Sequence, residues 1–472
     1  MTPKVVTRFA PSPTGFMHVG GVRTALYAFL WAKKNHGSFI LRIEDTDKDR
    51  EVEGSIGHIM ESLKWLKIDW DEGPDIGGEH APYIQSQRLD LYKKHAQILI
   101  ERGFAYPDPY TKEQLDEFRK KAEDEKRAFL YRDHRPETFG VWDGSTALRF
   151  KTPEIKSYKW TDAVRGELSA GPEALDDFIL IKSDGYPTYN FAHIIDDLQM
   201  NVTHVMRADE FISSTPKFLS LYDALGITPP IFATLPPILA DGGNKKLGKR
   251  DGAKDILDYG KEGYLPEAMI NFLALLGWNP GGEKEIFTEA ELIEAFDISR
   301  IQISGAQMNL EKLDWMNKEH IKKLSPEEIQ NKIFEKLPKE LHNPKLISVI
   351  LERISKWSDV KEMLSNGELD FFYKDPVYDK TKLVYKDTPV EKINSNIEQA
   401  IQTLAGIAEA DFVTEKIKEA LMNLANSLPS RGELFHPVRW SLSGLEKSPD
   451  PFIIAYILGK DETIKRLKKA TE

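Results

Sequence analysis

A histidine beside glycines and a pair of lysines stand out as groups able to handle phosphate. The segment Arg8-Phe9-Ala10-Pro11-Ser12-Pro13-Thr14-Gly15-Phe16-Met17-His18-Val19-Gly20-Gly21 joins a β-prone run to a helical one. Glycines let the backbone come close to a ligand, a helix N-terminus offers unpaired N–H groups and a positive dipole end, and His18 can donate a hydrogen bond to a phosphate oxygen. Far along the chain, Lys246-Leu247-Gly248-Lys249-Arg250 sets two lysines three apart in a glycine-rich stretch. Such a pair can close over a departing pyrophosphate and stabilise charge that grows in the transition state. Each segment alone also fits a plain turn or a solvated basic loop, so the chemistry depends on a fold that brings the two together.

The elements that could do so follow from patterning. Val5-Val6-Thr7-Arg8-Phe9 is β-prone, and Pro11, Pro13 and Gly15 break it into a turn. Val22, Ala25, Leu26, Phe29 and Leu30 recur at the spacing of a helix buried on one face, with Gly37 as its stop. Phe39-Ile40-Leu41-Arg42-Ile43 predicts the next strand; Val52, Ile56, Ile59, Met60, Leu63 and Leu66 predict a second helix. This βαβα order implies a parallel sheet flanked by helices, with ligands bound at the carboxyl edge. Between 82 and 192 the alternation is lost. A charged helical stretch over 112–127 gives way to short strands near 147–151 and 178–181, the pattern of an inserted domain. A strand at 202–206, a helix at 215–225 ended by Gly226 and a strand at 231–235 restore the α/β order, and from Pro266 onward amphipathic helices dominate.

At 472 residues the chain exceeds what one hydrophobic core organises, so several domains are expected. No apolar run approaches bilayer length and the opening residues lack the apolar stretch of a secretory signal, which points to a cytoplasmic protein without a membrane partner. The absence of cysteine excludes disulfides and thiolate metal sites. A net charge of −11 argues against indiscriminate nucleic-acid binding. Residues 321–472 carry 24 basic and 24 acidic side chains, so the acid excess lies earlier and RNA recognition would have to come from placed side chains.

Together the two phosphate-handling segments resemble the signature pair of the class I aminoacyl-tRNA synthetases, and the first is similar in wording to the bacterial-type glutamyl-tRNA synthetases. Further stretches match in order across almost the whole chain: Leu41-Arg42-Ile43-Glu44-Asp45-Thr46-Asp47, Asp184-Gly185-Tyr186-Pro187-Thr188-Tyr189-Asn190-Phe191-Ala192, His204-Val205-Met206-Arg207-Ala208-Asp209-Glu210, Ser213-Ser214-Thr215-Pro216 and Leu434-Phe435-His436-Pro437-Val438-Arg439. The resemblance implies a multidomain α/β plus α chain. Its Rossmann-like parallel-sheet catalytic core would occupy 1–82 and 192–243, and an inserted α+β acceptor-stem-binding domain 83–191. A stem-contact domain bearing the lysine loop would occupy 244–325, and all-α anticodon-binding subdomains 326–385 and 386–472.

The implied activity is glutamate–tRNA ligation: L-glutamate reacts with ATP, carried with Mg²⁺, to give glutamyl-adenylate, and the 3′ end of tRNA(Glu) takes the glutamyl group. Whether tRNA(Gln) is charged as well turns on how helical side chains meet the anticodon. On the family pattern Arg8 and Arg207 would hold substrate carboxylates, Glu44 the ammonium and Tyr189 the amino-acid side chain, with Ala10 and Ser12 lining the pocket. Glu210 and Phe211 would lie by the nucleotide, His18 and Gly20 would face its phosphates, and Lys246 and Lys249 would stabilise the pyrophosphate. Arg353, Arg431 and Arg439 are of the type that hold RNA phosphates and bases, as are Trp357, Phe435 and Trp440, while Leu434, Phe435 and Val438 also read as core. A monomer is the family expectation.

Three positions depart from that pattern. Gly248 stands where a small hydroxyl side chain is usual, and Gly21 replaces the final histidine of the general class I signature. Where some members carry a zinc motif, the chain reads Ala105-Tyr106-Pro107-Asp108-Pro109-Tyr110, so no zinc is expected and no other metal ligand set is assigned. A small-molecule nucleotidyltransferase would lack the insertion and the long helical region. A non-catalytic tRNA-binding paralogue is disfavoured by His18, Lys246, Lys249, Arg8 and Arg207. A glutamine–tRNA ligase is disfavoured by Arg207 and by a helical rather than β-barrel C-terminal region.

Overall fold

The computed structural model describes residues 4–243, 245–248 and 254–472. These form two compact units, the first drawn from Met1–Lys261 and Leu265–Met316, the second from Glu262–Tyr264 and Asn317–Glu472.

The first unit opens with β1 (Val6–Phe9), α1 (Val19–Lys34), β2 (Ser38–Leu41) and α2 (Ser55–Trp65), the expected alternation. The stripe on α1 is buried as its spacing requires: Val22, Ala25, Leu26 and Leu30 are inaccessible. Lys33 and Lys34 close its last turn, where cations favour the helix dipole. There follow α3 (Leu89–Glu101), β3 (Ala105–Pro107), α4 (Lys112–Asp124), β4 (Leu148–Phe150), β5 (Tyr158–Asp162), β6 (Gly166–Ala170) and β7 (Ile179–Ile181). Then come α5 (Tyr189–Gln199), β8 (His204–Ala208), α6 (Thr215–Leu225) and β9 (Ile231–Leu235). The short pair β10 (Ile238–Leu239) and β11 (Ala306–Gln307) runs parallel, and α7 (Ile256–Glu262), α8 (Pro266–Leu275), α9 (Glu289–Ala295) and α10 (Leu310–Ile321) complete the region.

The main sheet has the order β2-β1-β8-β9-β5-β6. β1 is parallel to both β2 and β8, β8 to β9, and β9 to β5; only the hairpin β5–β6 is antiparallel. The hairpin lies inside 83–191, the stretch expected to form a separate insertion, yet it extends the core sheet. Asp162 secures the joint, its Oδ1 accepting from the Thr234 N–H (3.1 Å) and its Oδ2 from the Thr234 hydroxyl (2.6 Å). The rest of the insertion forms its own antiparallel sheet, β3-β4-β7. One hydrophobic cluster runs from Val6 and Ile40 through Leu148 and Phe150 to Phe191 and Phe218, so core and insertion share apolar packing.

The second unit is helical: α11 (Pro326–Phe334), α12 (Ile347–Arg353), α13 (Ser358–Ser365), α14 (Val390–Ala405), α15 (Thr414–Asn426), α16 (Gly432–Ser443), α17 (Pro451–Leu458) and α18 (Lys460–Thr471). Ser325 starts α11 with a capping box to Glu328. Ile397, Leu404, Leu421, Leu434, Val438, Leu442 and Leu467 form the core of its carboxyl part, with Phe435 half-buried against it.

Candidate active site

β1 leads to β2 on one side of the sheet, while β8, its other neighbour, leads to β9 on the opposite side. The connections therefore diverge at the carboxyl ends of β1 and β8 and leave a crevice there, the place where open α/β sheets bind ligands. Arg8 rises from β1 and Arg207 from β8, both buried.

Around them lies a buried network of charge. Asp197 on α5 accepts a two-pronged contact from Arg8, Nε to Oδ1 at 3.1 Å and Nη2 to Oδ2 at 3.4 Å. Arg42 donates to the same Asp197 Oδ1 (2.8 Å) and to Glu44 Oε1 (2.9 Å), and Arg88 donates to Asp196 Oδ1 (2.8 Å). Burial alone would raise the Asp197 carboxyl, but the guanidiniums of Arg8 and Arg42 hold it down at about 2. Burial likewise lifts Glu44, opposed by Arg42 and Arg8. Glu44 reaches the site because the chain leaves the ladder after β2: the Arg42 N–H still donates to Phe9 O, whereas the Glu44 N–H turns to Pro11 O (both 3.0 Å).

Arg207 differs from these arginines. Its Nη2 donates to Thr215 Oγ1 (2.7 Å), but Nε and Nη1 are buried without a hydrogen-bond partner. The guanidinium carbon lies 4.4 Å from the Phe232 ring centre and 5.2 Å from that of Phe218, and burial lowers its pKa. Tyr189, at the start of α5, is pushed up by burial and by Glu44 against the pull of Arg8 and Arg207, which places its phenol among them. It stacks on His193 (4.6 Å between centroids) and meets Phe211 at 5.3 Å. His193 is pulled down to about 3 by burial and stays neutral at physiological pH.

A second cleft, of about 440 Å³, adjoins the start of α1 and is lined by His18, Gly20, Arg23, Glu210, Lys246 and Gly248 among others. His18 is the N-cap of α1, its Nδ1 accepting from the Gly20 N–H at 3.1 Å, so the neutral ring carries its proton on Nε2. A Cβ on Gly20 would stand 2.9 Å from His18 Cε1, which explains the glycine. Lys246 Nζ reaches Glu210 Oε2 at 2.8 Å, an exposed pair.

Residues 4–315 match the family described as tRNA synthetases class I (E and Q), catalytic domain, and residues 304–471 match an anticodon binding domain. A glutamate–tRNA ligase of Clostridium botulinum is 42% identical over 99% of this chain and 98% of its own length. One from Clostridium kluyveri is 43% identical, covering 98% and 97%. A crystal structure of a glutamate tRNA ligase from Elizabethkingia meningosepticum in complex with its amino acid superposes with a TM-score of 0.87 at 36% identity, covering 99% of each chain. The chain belongs to the glutamate–tRNA ligase family.

Against the family-based expectations, Arg8, Glu44, Tyr189 and Arg207 do meet at one crevice, and His18, Gly20, Glu210 and Lys246 at the neighbouring cleft, with Phe211 against Tyr189. Three of these side chains already have protein partners. The fork of Arg8, expected on a substrate carboxylate, engages Asp197. Glu44, expected on the ammonium, engages Arg42. Lys246, expected on the pyrophosphate, faces Glu210. Ala10 is half-buried and Ser12 exposed on the loop after β1, and Lys249 lies outside the described residues. Asp197, Arg42 and His193 were not foreseen; a signal for Arg42 was present in Leu41-Arg42-Ile43-Glu44 and one for Asp197 in the acidic pair Asp196-Asp197 that follows Ile194-Ile195.

In the second unit Arg353 pairs with Glu368 (3.1 Å), exposed Arg431 donates to Asn426 (2.9 Å), and Arg439 Nε is buried without a partner. In the segment compared with the family's zinc motif, Asp108 accepts from Arg149 Nε (3.1 Å) and from the Tyr131 hydroxyl (2.5 Å), and Tyr106 donates to Asp177 (2.8 Å). Ion pairs and phenols knit this stretch together.

Proposed function

We propose that this chain activates L-glutamate with Mg·ATP, forming glutamyl-adenylate and pyrophosphate, and then glutamylates tRNA(Glu). The observation that carries the reading is Arg207, a buried guanidinium with two donors that no protein group accepts. The buried site holds four guanidiniums, Arg8, Arg42, Arg88 and Arg207, and three carboxylates, Glu44, Asp196 and Asp197, which pair with the first three arginines. The cluster is short of one anion. Glutamate is a net anion and supplies it; glutamine is net neutral and would leave Arg207 uncompensated in a dry site.

In this reading Arg207 takes the side-chain carboxylate, with Tyr189 and Glu44 bounding the amino-acid pocket, while Arg8 fixes Asp197 and adds positive field. The α-carboxylate attacks the α-phosphorus of ATP in line, and no protein nucleophile is needed. His18 Nε2–H and the first N–H groups of α1 meet phosphate oxygens, and Lys246 and Lys249 neutralise the leaving pyrophosphate, Lys246 exchanging its exposed partner Glu210 for phosphate. The terminal ribose hydroxyl of tRNA then takes the acyl group. The helical unit, with Arg353, Arg431 and Arg439, reads the anticodon, and the chain acts as a monomer in the cytoplasm, where its tRNA is used. ATP–pyrophosphate exchange with tRNA present, run with glutamate and with glutamine, tests the reading: glutamate must drive exchange far better, and equal rates would sink it. Charging tRNA(Glu) and tRNA(Gln) side by side decides the acceptor.

A further inference from the structure

His58 on α2 takes no part in the reaction proposed above, yet it grips the segment that carries His18. Its Nδ1 accepts from the Met17 N–H (3.3 Å), its ring stacks on Phe16 with centroids 4.5 Å apart, and its Nε2 lies 2.9 and 2.8 Å from the two oxygens of Asp255. Because Nδ1 offers its lone pair to Met17, the neutral ring carries its proton on Nε2 and donates it to Asp255. Asp255 also accepts from the Leu257 N–H at the start of α7 (2.9 Å) and forms an isolated antiparallel bridge with His18 itself, and the next residue, Ile256, donates its N–H to Met17 O (3.0 Å). The His58 and Asp255 side chains are only 12% and 21% exposed, so water competes weakly for their bond. Ser62 Oγ, also 3.3 Å from Nδ1, is fully buried and donates to the His58 carbonyl, so the trio is not a nucleophilic triad.

We propose that His58 and Asp255 are positioning residues for His18: together they clamp Phe16, Met17 and His18 between α2 and the start of α7 and fix where the His18 ring meets the nucleotide phosphates. The clamp has work to do, because this stretch borders a cavity of about 350 Å³ lined by residues 14–18, Val52 and Asp255. It also disposes of a difficulty. A carboxylate bridged to His18 would disfavour a nearby triphosphate, and two N–H donors, from His58 and Leu257, hold it in place and offset its charge.

The role rests on the adenylation reaction proposed above, and the full-length protein tests it by pyrophosphate exchange with tRNA present. His58→Ala and Asp255→Ala should each lower kcat by about tenfold or more, the scale of a misplaced catalytic group. The glutamate KM should stay within about twofold, since Arg207 and its surroundings are untouched. The double variant should lose no more than the worse single, as for two halves of one device. His58→Gln, whose amide N–H can stand where Nε2–H stood, should recover part of the lost kcat. Unchanged kcat in folded His58→Ala, multiplying losses in the double variant, or a glutamate KM that rises in step with the fall in kcat would each overturn the role. Should the alanine variants fail to fold, His58→Phe, which keeps a ring against Phe16 but neither hydrogen bond, decides by the same readouts. Wild-type protein without glutamate-dependent exchange would overturn the reaction and this role together; wild-type exchange with unaltered variants would overturn the role alone.

Discussion

Replacing Arg207 by methionine should separate binding from stability, with opposite signs. Methionine keeps an apolar stem against Phe232 and Phe218 and removes the guanidinium. On the substrate side a desolvated carboxylate loses its partner, a loss of about 2–5 kcal/mol for a buried hydrogen-bonded charge pair. On the protein side nothing is orphaned: Nε and Nη1 have no partner, and Thr215, which loses the Nη2 donor, still donates its own hydroxyl to Phe211 O (2.9 Å). A value of about 3 kcal/mol, inside that range, is at about 1.4 kcal/mol per decade roughly 150-fold in kcat/KM for glutamate. The glutamine reaction should change little, so the preference shrinks by a similar factor. Stability without substrate should hold or rise, because the loss of a cation–π contact worth about 1 kcal/mol is offset by removing a buried uncompensated charge. Steady-state exchange kinetics and thermal unfolding with and without glutamate measure both. A variant that keeps the original glutamate preference, or that unfolds several degrees lower in the absence of glutamate, would refute the reasoning.

His18→Ala should slow adenylate formation by about a hundredfold while the glutamate KM stays near its starting value, since the ring acts on phosphate charge that develops late; equal changes in both parameters would remove it from the catalytic list. Acid should weaken the fold in two windows. The unfolded chain protonates His193 below its ordinary pKa of 6.5 while the native residue resists until about 3, so stability falls as pH drops through that interval, by at most about 1.4 kcal/mol per unit. Asp197, native value about 2 against an ordinary 3.8, adds stability that is present above 3.8 and lost toward 2. Urea unfolding of His193→Asn should show a flatter dependence between about pH 6.5 and 4 than the parent, and an unchanged slope would mean another group titrates there. A chain ending before Pro326 should still bind ATP and glutamate but charge tRNA poorly and no longer distinguish an anticodon-swapped tRNA, which parallel charging assays would show; retained discrimination would move anticodon reading out of the helical unit.

Much of the scaffold could be read from periodicity because its elements bury one face. The α1 stripe, the short strands near 147–151 and 178–181 and the helix stopped by Gly226 all appear within a few residues of their expected places. The expected strand at 39–43 ends early, at Leu41, because Arg42 and Glu44 are pulled into the charged network rather than continuing the ladder. The hairpin β5–β6 was not legible as core. Its residues, Tyr158-Lys159-Trp160-Thr161-Asp162 and Gly166-Glu167-Leu168-Ser169-Ala170, are mostly polar and partly exposed, and the partner strand β9 lies some seventy residues away. Local pattern carries no information about a parallel pairing at that distance.

The same limit governs the site. Sequence marks arginines at positions 8, 42, 88 and 207 alike, and nothing local tells a structural guanidinium from one that waits for substrate. Only the pairing does so. Arg8, Arg42 and Arg88 each have a carboxylate within 3.1 Å, from residues between 2 and 189 positions away, so their charge is already answered by the protein. Arg207 is desolvated like the others but has only a hydroxyl partner. A buried charge left uncompensated costs stability that a purely structural arginine would have no reason to impose. In the reaction proposed here the cost is recovered when the glutamate side chain arrives, and its size would separate glutamate from its uncharged amide. On that proposal specificity is a property of what the fold leaves unpaired, and Arg207 stands out only once the carboxylate partners of Arg8, Arg42 and Arg88 have been assigned.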